Sequence, residues 1–257
     1  MPACYTKVVI SNKFVEVYTQ SVPPIKPNKS LGGRKKSIYS KPEENPTNLQ
    51  ISINRARKKI HRLIECNFNN DYVFLTLTFK ETQAIDITNY DQCHKAFCDF
   101  KKRLSYYLTK NLMPSFKYIG ITEFHDKNRN GAIHFHLICN LTFISRDILQ
   151  ILWTHGTIHT SKNNSDYLNN KKMSYYLRKG INDPRLTGKK KYFCSQGLQK
   201  PMSITLDNPD DFFDSLDQIG ITPLDTKTYY SNLYGDIQYQ TYYLNNAKEL
   251  LNYVQEL

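Results

Sequence analysis

No Cys-x-x-Cys pair occurs among the six cysteines (Cys4, Cys66, Cys93, Cys98, Cys139 and Cys194), so zinc-ribbon and thioredoxin-type spacings are excluded. The chain shows no secretory signal, and the cysteines therefore read as reduced thiols of a cytoplasmic protein. No apolar run approaches the ~20 residues that span a bilayer, so no membrane role is expected. The pattern Gly-x-x-x-x-Gly-Lys-[Ser/Thr] is missing, which argues against a nucleotide-driven motor, and no internal repeat is visible. Acidic residues are scarce until late in the chain. Residues 1–71 hold 5 Asp and Glu against 13 Lys and Arg, residues 72–200 hold 9 against 20, and residues 201–257 reverse to 9 against 2. A net charge of +12 together with 19 tyrosines suits nucleic acid, because cations meet phosphates and rings stack on bases. The acidic tail argues against indiscriminate coating of DNA.

The chain divides by composition into a basic arm and helix (1–70), a core (71–206) and an acidic, Tyr-rich extension (207–257). Residues 4–19 read as two strands around Ser11-Asn12. Residues 21–48, with five prolines and the cluster Arg34-Lys35-Lys36, read as a loop or a partly disordered arm. Helical spacing of Ile53, Ala56, Ile60, Leu63 and Ile64 predicts a helix from Asn48 to Cys66, with Arg55, Arg57, Lys58, Lys59 and Arg62 on its other faces.

Within the core, residues 72–79 alternate as a strand, with Phe74, Thr76 and Thr78 on one face. A helix is expected over His94–Leu112, ended by Pro114. Strands follow at Phe116–Phe124 and 131–139, then a helix from Ser145 to Leu152, a short strand at Trp153–His159 and a helix from Ser165 or Asp166 to Lys179. The order strand, helix, strand, strand, helix, strand is that of an α+β fold: a split βαβ with a central antiparallel sheet flanked by helices. A basic loop at 185–200, a strand at Met202–Leu206, an acidic helix, the Tyr-rich run 228–243 and a last helix from Asn246 complete the chain.

The chemistry concentrates around His134-Phe135-His136. Alternation along a strand puts both imidazoles on one face, where they can hold one divalent ion. An antiparallel hairpin with the preceding strand brings Glu123 beside them, and His125 shares the parity of Glu123. Two nitrogens and a carboxylate oxygen suit Mn²⁺ and tolerate Mg²⁺ or Zn²⁺. The predicted helix to Lys179 carries Lys172 and Lys179 on one axis, with Tyr175 and Tyr176 flanking it. A phenol with a lysine one turn away forms a nucleophile with a phosphate clamp; packed tyrosines with solvated lysines would look the same. His61, His94, His155 and His159 read as structural.

Three motifs in order resemble the HUH endonucleases, in particular the rolling-circle replication initiators of bacterial plasmids and small phages. They are Phe74-Leu75-Thr76-Leu77-Thr78-Phe79, then Glu123 with Gly131-Ala132-Ile133-His134-Phe135-His136, then Tyr176-Leu177-Arg178-Lys179 as Tyr-x-x-Lys. Ser195–Pro201 also resembles a segment downstream of the tyrosine in these initiators. The resemblance implies an antiparallel sheet with helices and site-specific nicking of single-stranded DNA at an origin. His134, His136, Glu123 and, as a further candidate, His125 would hold Mn²⁺ or Mg²⁺. Tyr176 would form a 5′-phosphotyrosine link and free a 3′-OH; Tyr175 is the alternative nucleophile. Arg34, Lys35, Lys36, Arg55, Arg57, Lys58, Lys59, Arg62, Lys172, Arg178, Lys189, Lys190 and Lys191 are candidate contacts to single-stranded and hairpin DNA. Without a motor, unwinding would fall to a host helicase and extension to a host DNA polymerase.

Some relatives carry two tyrosines one helical turn apart. Here the pair is adjacent, about 100° apart on a helix, which implies one nucleophile, with termination by a second protomer in a homo-oligomer or by activated water. Two other readings compete: another HUH enzyme, either a conjugative relaxase or a single-strand transposase, and a non-catalytic nucleic-acid-binding module of RNA-recognition type. The last explains the charge and the aromatics but leaves His-x-His with Glu123 without a role.

Overall fold

The computed structural model describes residues 5–22, 46–68, 71–82, 84–163, 175–177, 180–206, 209–231 and 234–244. In chain order the elements are β1 (Tyr5–Ser11), β2 (Phe14–Gln20), α1 (Pro46–Asn67), β3 (Tyr72–Thr78), α2 (Tyr90–Lys110), β4 (Tyr118–His125), the single turn α3 (Asp126–Arg129) and β5 (Ala132–Cys139). They continue with α4 (Arg146–Leu152), β6 (Ile158–Asn163), β7 (Phe193–Cys194), β8 (Met202–Leu206), α5 (Pro209–Gln218), β9 (Asp225–Ser231) and β10 (Gly235–Tyr243). The fold is α+β, with two antiparallel five-stranded sheets.

The chain forms two compact units, residues 41–199 and residues 1–40 with 200–257. In the first unit the strand order is β6-β3-β5-β4-β7, the arrangement a split βαβ produces. The pattern of β3 explains why two layers form. Val73, Leu75 and Leu77 face one way and join Phe97, Phe100 and Leu104 of α2 with Phe135 and Leu137 of β5 in one core. Each such side chain contributes roughly 1.5–3 kcal/mol by leaving water. Across the sheet, Ile119, Ile121 and Ile138 meet Ile53, Ile60, Leu63 and Ile64 of α1 together with Leu177 and Ile181. The apolar stripe read from the α1 sequence is the one it buries, leaving Arg55, Lys58 and Lys59 exposed.

The second unit is built around the β1–β2 hairpin, turned at Asn12 with φ 55°. Its strand order is β8-β1-β2-β10-β9, so residues more than 180 positions away flank the hairpin on both sides. Val8, Ile10, Val15 and Val17 pack with Phe212 and Leu216 of α5. The buried carboxylate of Glu16 accepts hydrogen bonds from Tyr18 Oη at 2.8 Å and Tyr239 Oη at 2.9 Å. The divisions expected at 70/71 and 206/207 fall inside these units. Met202–Leu206, expected in the core, pairs with β1.

Two elements begin elsewhere than their sequence pattern indicates. The helix expected from His94 starts at Tyr90, because the Asn89 side chain accepts from the backbone N–H groups of Asp91 and Gln92 and caps it. The strand expected at Trp153–His159 starts at Ile158. Trp153 instead ends α4; its indole Nε1 donates to Thr78 O at 2.9 Å, and its ring packs against Phe79 and Phe100. Of the helix expected up to Lys179, only Tyr175–Leu177 lies among the described residues, and it is helical. The arm over 23–45, with Arg34, Lys35 and Lys36, and the helix from Asn246 lie outside them.

Gly156 lets the loop after α4 reach β3. A Cβ there would sit on the backbone carbonyl of Thr78 and 2.9 Å from Lys80 N. Gly156→Ala should therefore destabilise the protein by about 1–3 kcal/mol through forced displacement of backbone, read as a lower urea midpoint with an unchanged slope.

Candidate active site

β5 is hydrogen-bonded on both sides, with Thr76 opposite His136 and Thr78 opposite His134 on β3. On β4, Ile121 lies opposite His136 and Glu123 opposite His134. The register puts Thr76, Glu123, His125, His134 and His136 on the sheet face that also receives α1, while Phe135 and Leu137 enter the opposite core. Both histidines are buried, His134 8% and His136 4% exposed. The site lies wholly within the 41–199 unit.

His136 is held at both nitrogens. Its Nε2 lies 2.5 Å from Glu123 Oε2 and its Nδ1 3.0 Å from Thr76 Oγ1. An Nε2–H donating to the carboxylate, with the Thr76 hydroxyl donating to Nδ1, satisfies the network. The hydrogen bond from His136 is the main reason the Glu123 carboxyl titrates below its ordinary range, against the opposing effect of burial. His125 Nε2 lies 3.6 Å from the same Glu123 oxygen, and its ring is 4.1 Å from that of His134.

Arg129, in α3, was silent in the sequence. Its Nη1 lies 3.3 Å from His134 Nε2, and its Nη2 donates to Phe79 O at 2.6 Å. Burial first, then the neighbouring His125, His136 and the Arg129 guanidinium, push the His134 imidazole down to about 4. At neutral pH the ring is uncharged and presents a lone pair, the state a metal ligand requires.

Among the described residues no group of three or more His, Cys, Asp or Glu is already arranged to hold a metal ion. The donor chemistry nevertheless fits one: an ionised carboxylate and imidazoles, with nitrogen and oxygen mixed. A cation there would replace the proton shared by His136 and Glu123 and compete with Arg129 for His134.

The tyrosines reach this face unequally. The Tyr176 ring meets that of His136 edge-on at 5.6 Å and that of Phe74 at 5.2 Å, while Phe74 stacks on His136 at 5.8 Å. Phe74 thus packs against both rings at once. Tyr175 is 65% exposed against 37% for Tyr176. Burial, then the Glu123 charge, hold the Tyr176 phenol above its ordinary pKa. Leu177, before the 3₁₀ turn Gly180–Asn182, and Ile181, within it, are both buried and anchor the segment. Arg185 fixes the chain beyond it, with two bonds to Asp126 (2.7 and 2.9 Å), others to Asp183, and a position 4.0 Å over the Phe124 ring. Lys172, Arg178 and Lys179 lie outside the described residues.

The remaining candidates scatter. Arg57 donates to Asn182 Oδ1 at 3.0 Å, so it joins α1 to the 3₁₀ turn. Arg62 is partly buried on α1. Lys59 lines a cleft with Lys189, Lys190 and Lys191. His155 packs on Trp153 and Phe79, His159 is exposed on β6, and His94 stacks on Tyr90.

Two measurements check this arrangement. A histidine whose folded pKa is depressed favours the native state above its unfolded value near 6.5, and that contribution is lost as pH falls toward 4. Urea midpoints should therefore drop between pH 7 and pH 4.5, and His134→Gln should flatten the drop. Separately, a Cβ at Gly180 would lie 2.5 Å from Thr122 O and 2.8 Å from Ile121 Cδ1. Gly180→Ala should lift the tyrosine segment off β4, shifting the His136 ring signals in NMR spectra and leaving those of His159 in place; unmoved His136 signals would contradict the packing.

No curated protein and no solved structure matches the chain. A family model does, over a segment that opens on the first residue of β3 and closes in the 3₁₀ turn beyond Tyr176, so that Phe74, Glu123, His134 and His136 all fall inside it. Residues 72–181 match the family described as replication-associated protein ORF2/G2P, and the match supports a role in replication initiation.

Proposed function

We propose that the protein is a rolling-circle replication initiator of HUH type that nicks one strand of its origin with Tyr176. The observation that carries this reading is the Tyr176 ring set 5.6 Å from His136, whose Nε2 meets Glu123, inside the segment matched to replication-associated proteins. His134, His136 and Glu123, with His125 adjoining, would hold Mn²⁺ or Mg²⁺. When bound, the ion would polarise the scissile phosphate and stabilise charge developing on its oxygens.

The chain's own residues do the rest. Tyr176 Oη attacks the phosphorus; its bond to phosphorus forms as the bond from phosphorus to the 3′-oxygen breaks. The phenol loses its proton and the departing 3′-oxygen gains one, so a 5′-phosphotyrosine and a 3′-OH result without ATP. Burial and Glu123 oppose loss of the phenolic proton in the free protein. Positive charge at the site, from a bound ion and from Lys179, would reverse that bias. Phe74 and Leu177 orient the phenol, and Thr76 and Glu123 orient His136. Single-stranded or hairpin origin DNA is the partner, with Lys172, Arg178 and the exposed cations of α1 on its phosphates; a host helicase unwinds the duplex, a host DNA polymerase extends the 3′-OH, and a second protomer or water ends the cycle.

The test incubates the protein with a single-stranded origin oligonucleotide and Mn²⁺ and looks for a covalent adduct on a denaturing gel. Tyr176→Phe should abolish the adduct and Tyr175→Phe retain it. His134→Ala should lower nicking by about 10²-fold or more, the scale of losing electrostatic stabilisation, with DNA binding largely kept. An adduct formed normally by Tyr176→Phe would refute the assignment.

A further inference from the structure

A second concave site lies on the same unit, beyond the edge strand β7. It is a cleft of about 880 Å³ between α1, α2 and residues 189–194, within the ~300–1,000 Å³ typical of ligand pockets. One part is aromatic: the half-buried Tyr192 and Phe193 line it, Phe193 backed at 5.1 Å by the buried Phe97 ring. Another is the half-buried Tyr90–His94 pair, stacked at 5.7 Å with 16° between planes. The Lys189 ammonium lies 4.2 Å from the centre of the Tyr90 ring, so that a base there would displace that lysine toward its phosphate. Its charge is almost all of one sign. Lys59, Lys101 and Lys189–Lys191 line it, and the one acid, Asp91, is engaged by Lys189 at 3.2 Å.

Such a combination has a specific chemical complement. Flat rings accept the face of a base, and ammonium groups accept the phosphate attached to it. Burial, then mainly the lysine charges, depress the His94 pKa, so its ring stays neutral near pH 7 and remains suited to stacking. A duplex, whose bases are stacked on one another, cannot present a base face to a cleft closed by two helices. Tyr118 is five residues from Glu123 along β4, about 17 Å at ~3.4 Å per residue, so whatever fills this cleft is not the scissile nucleotide.

We propose that this cleft holds an unpaired nucleotide of the DNA strand, away from the cleaved bond. The proposal rests on the reading of single-stranded DNA as substrate. It gives the enzyme a second grip on the strand, one that distinguishes single-stranded from paired DNA without engaging the tyrosine.

Cys194 lines the cleft and is exposed, which supplies a reporter. The full chain carrying Tyr176→Phe, unable to form an adduct, is saturated with a single-stranded oligonucleotide or with its duplex. Alkylation of Cys194 is then followed by mass spectrometry of its peptide. Single strands should slow alkylation about tenfold and the duplex should leave it unchanged. Lys190→Glu should restore the rate, and Lys190→Ala should reduce the slope of log affinity against log salt by about one. Equal alkylation with and without single strands, or equal protection by duplex, would overturn the proposal. Protection without any wild-type adduct would count against the tyrosine chemistry and leave the cleft standing; an adduct without protection would count against the cleft alone.

Discussion

Pairing of β5 on both sides is the constraint from which the candidate site follows. With β3 and β4 both hydrogen-bonded to it, β5 cannot slide by one residue without sending Phe135 and Leu137 to the face shared with Thr76 and Glu123 and both histidines into the aromatic core. The cost of that exchange fixes the register, and the register alone sets Thr76 beside His136 and Glu123 opposite His134. Two polar chains on an apolar strand are thus held by the packing of residues that share no chemistry with them. The hydrogen bonds refine positions the core has already chosen.

What periodicity could report, it reported. Alternation in β3 and β5 identified the strands and the face carrying the histidines, and the stripe of Ile53, Ile60 and Ile64 identified the buried side of α1. Tyr-x-x-Lys favoured Tyr176 over Tyr175, and the rings place Tyr176 against His136. Contacts set by tertiary arrangement were not legible. Arg129 sits in a segment whose sequence says only turn, yet folding brings it to His134. Trp153 looked like the start of a strand because its β-propensity is high; its indole instead reaches across to Thr78. A strand pattern also carries no name for its partner, so Met202–Leu206 gave no sign that it pairs with β1.

The electrostatics of the candidate site divide into two halves. Glu123 and His136 are joined by a short hydrogen bond, whereas His134 is neutral and faces the Arg129 guanidinium. In this state the positive charge near the histidines is the protein's own. Binding of a divalent cation would accordingly be an exchange of one positive partner for another, with its affinity set partly by how readily Arg129 turns to the phosphate or to solvent.

The position of the β1–β2 hairpin at the centre of its sheet bears on the order of events during synthesis. The 41–199 unit is one continuous stretch and can close while the C-terminal segment is still being made. Tyr5–Gln20 cannot complete its sheet then, because β8 and β10 follow the 41–199 unit in the chain. For most of synthesis its two outer edges present unpaired backbone, the kind of template that invites pairing with other chains. The hairpin, made before the 41–199 unit, is thus finished after it, and conditions that slow elongation between the two lengthen that exposure.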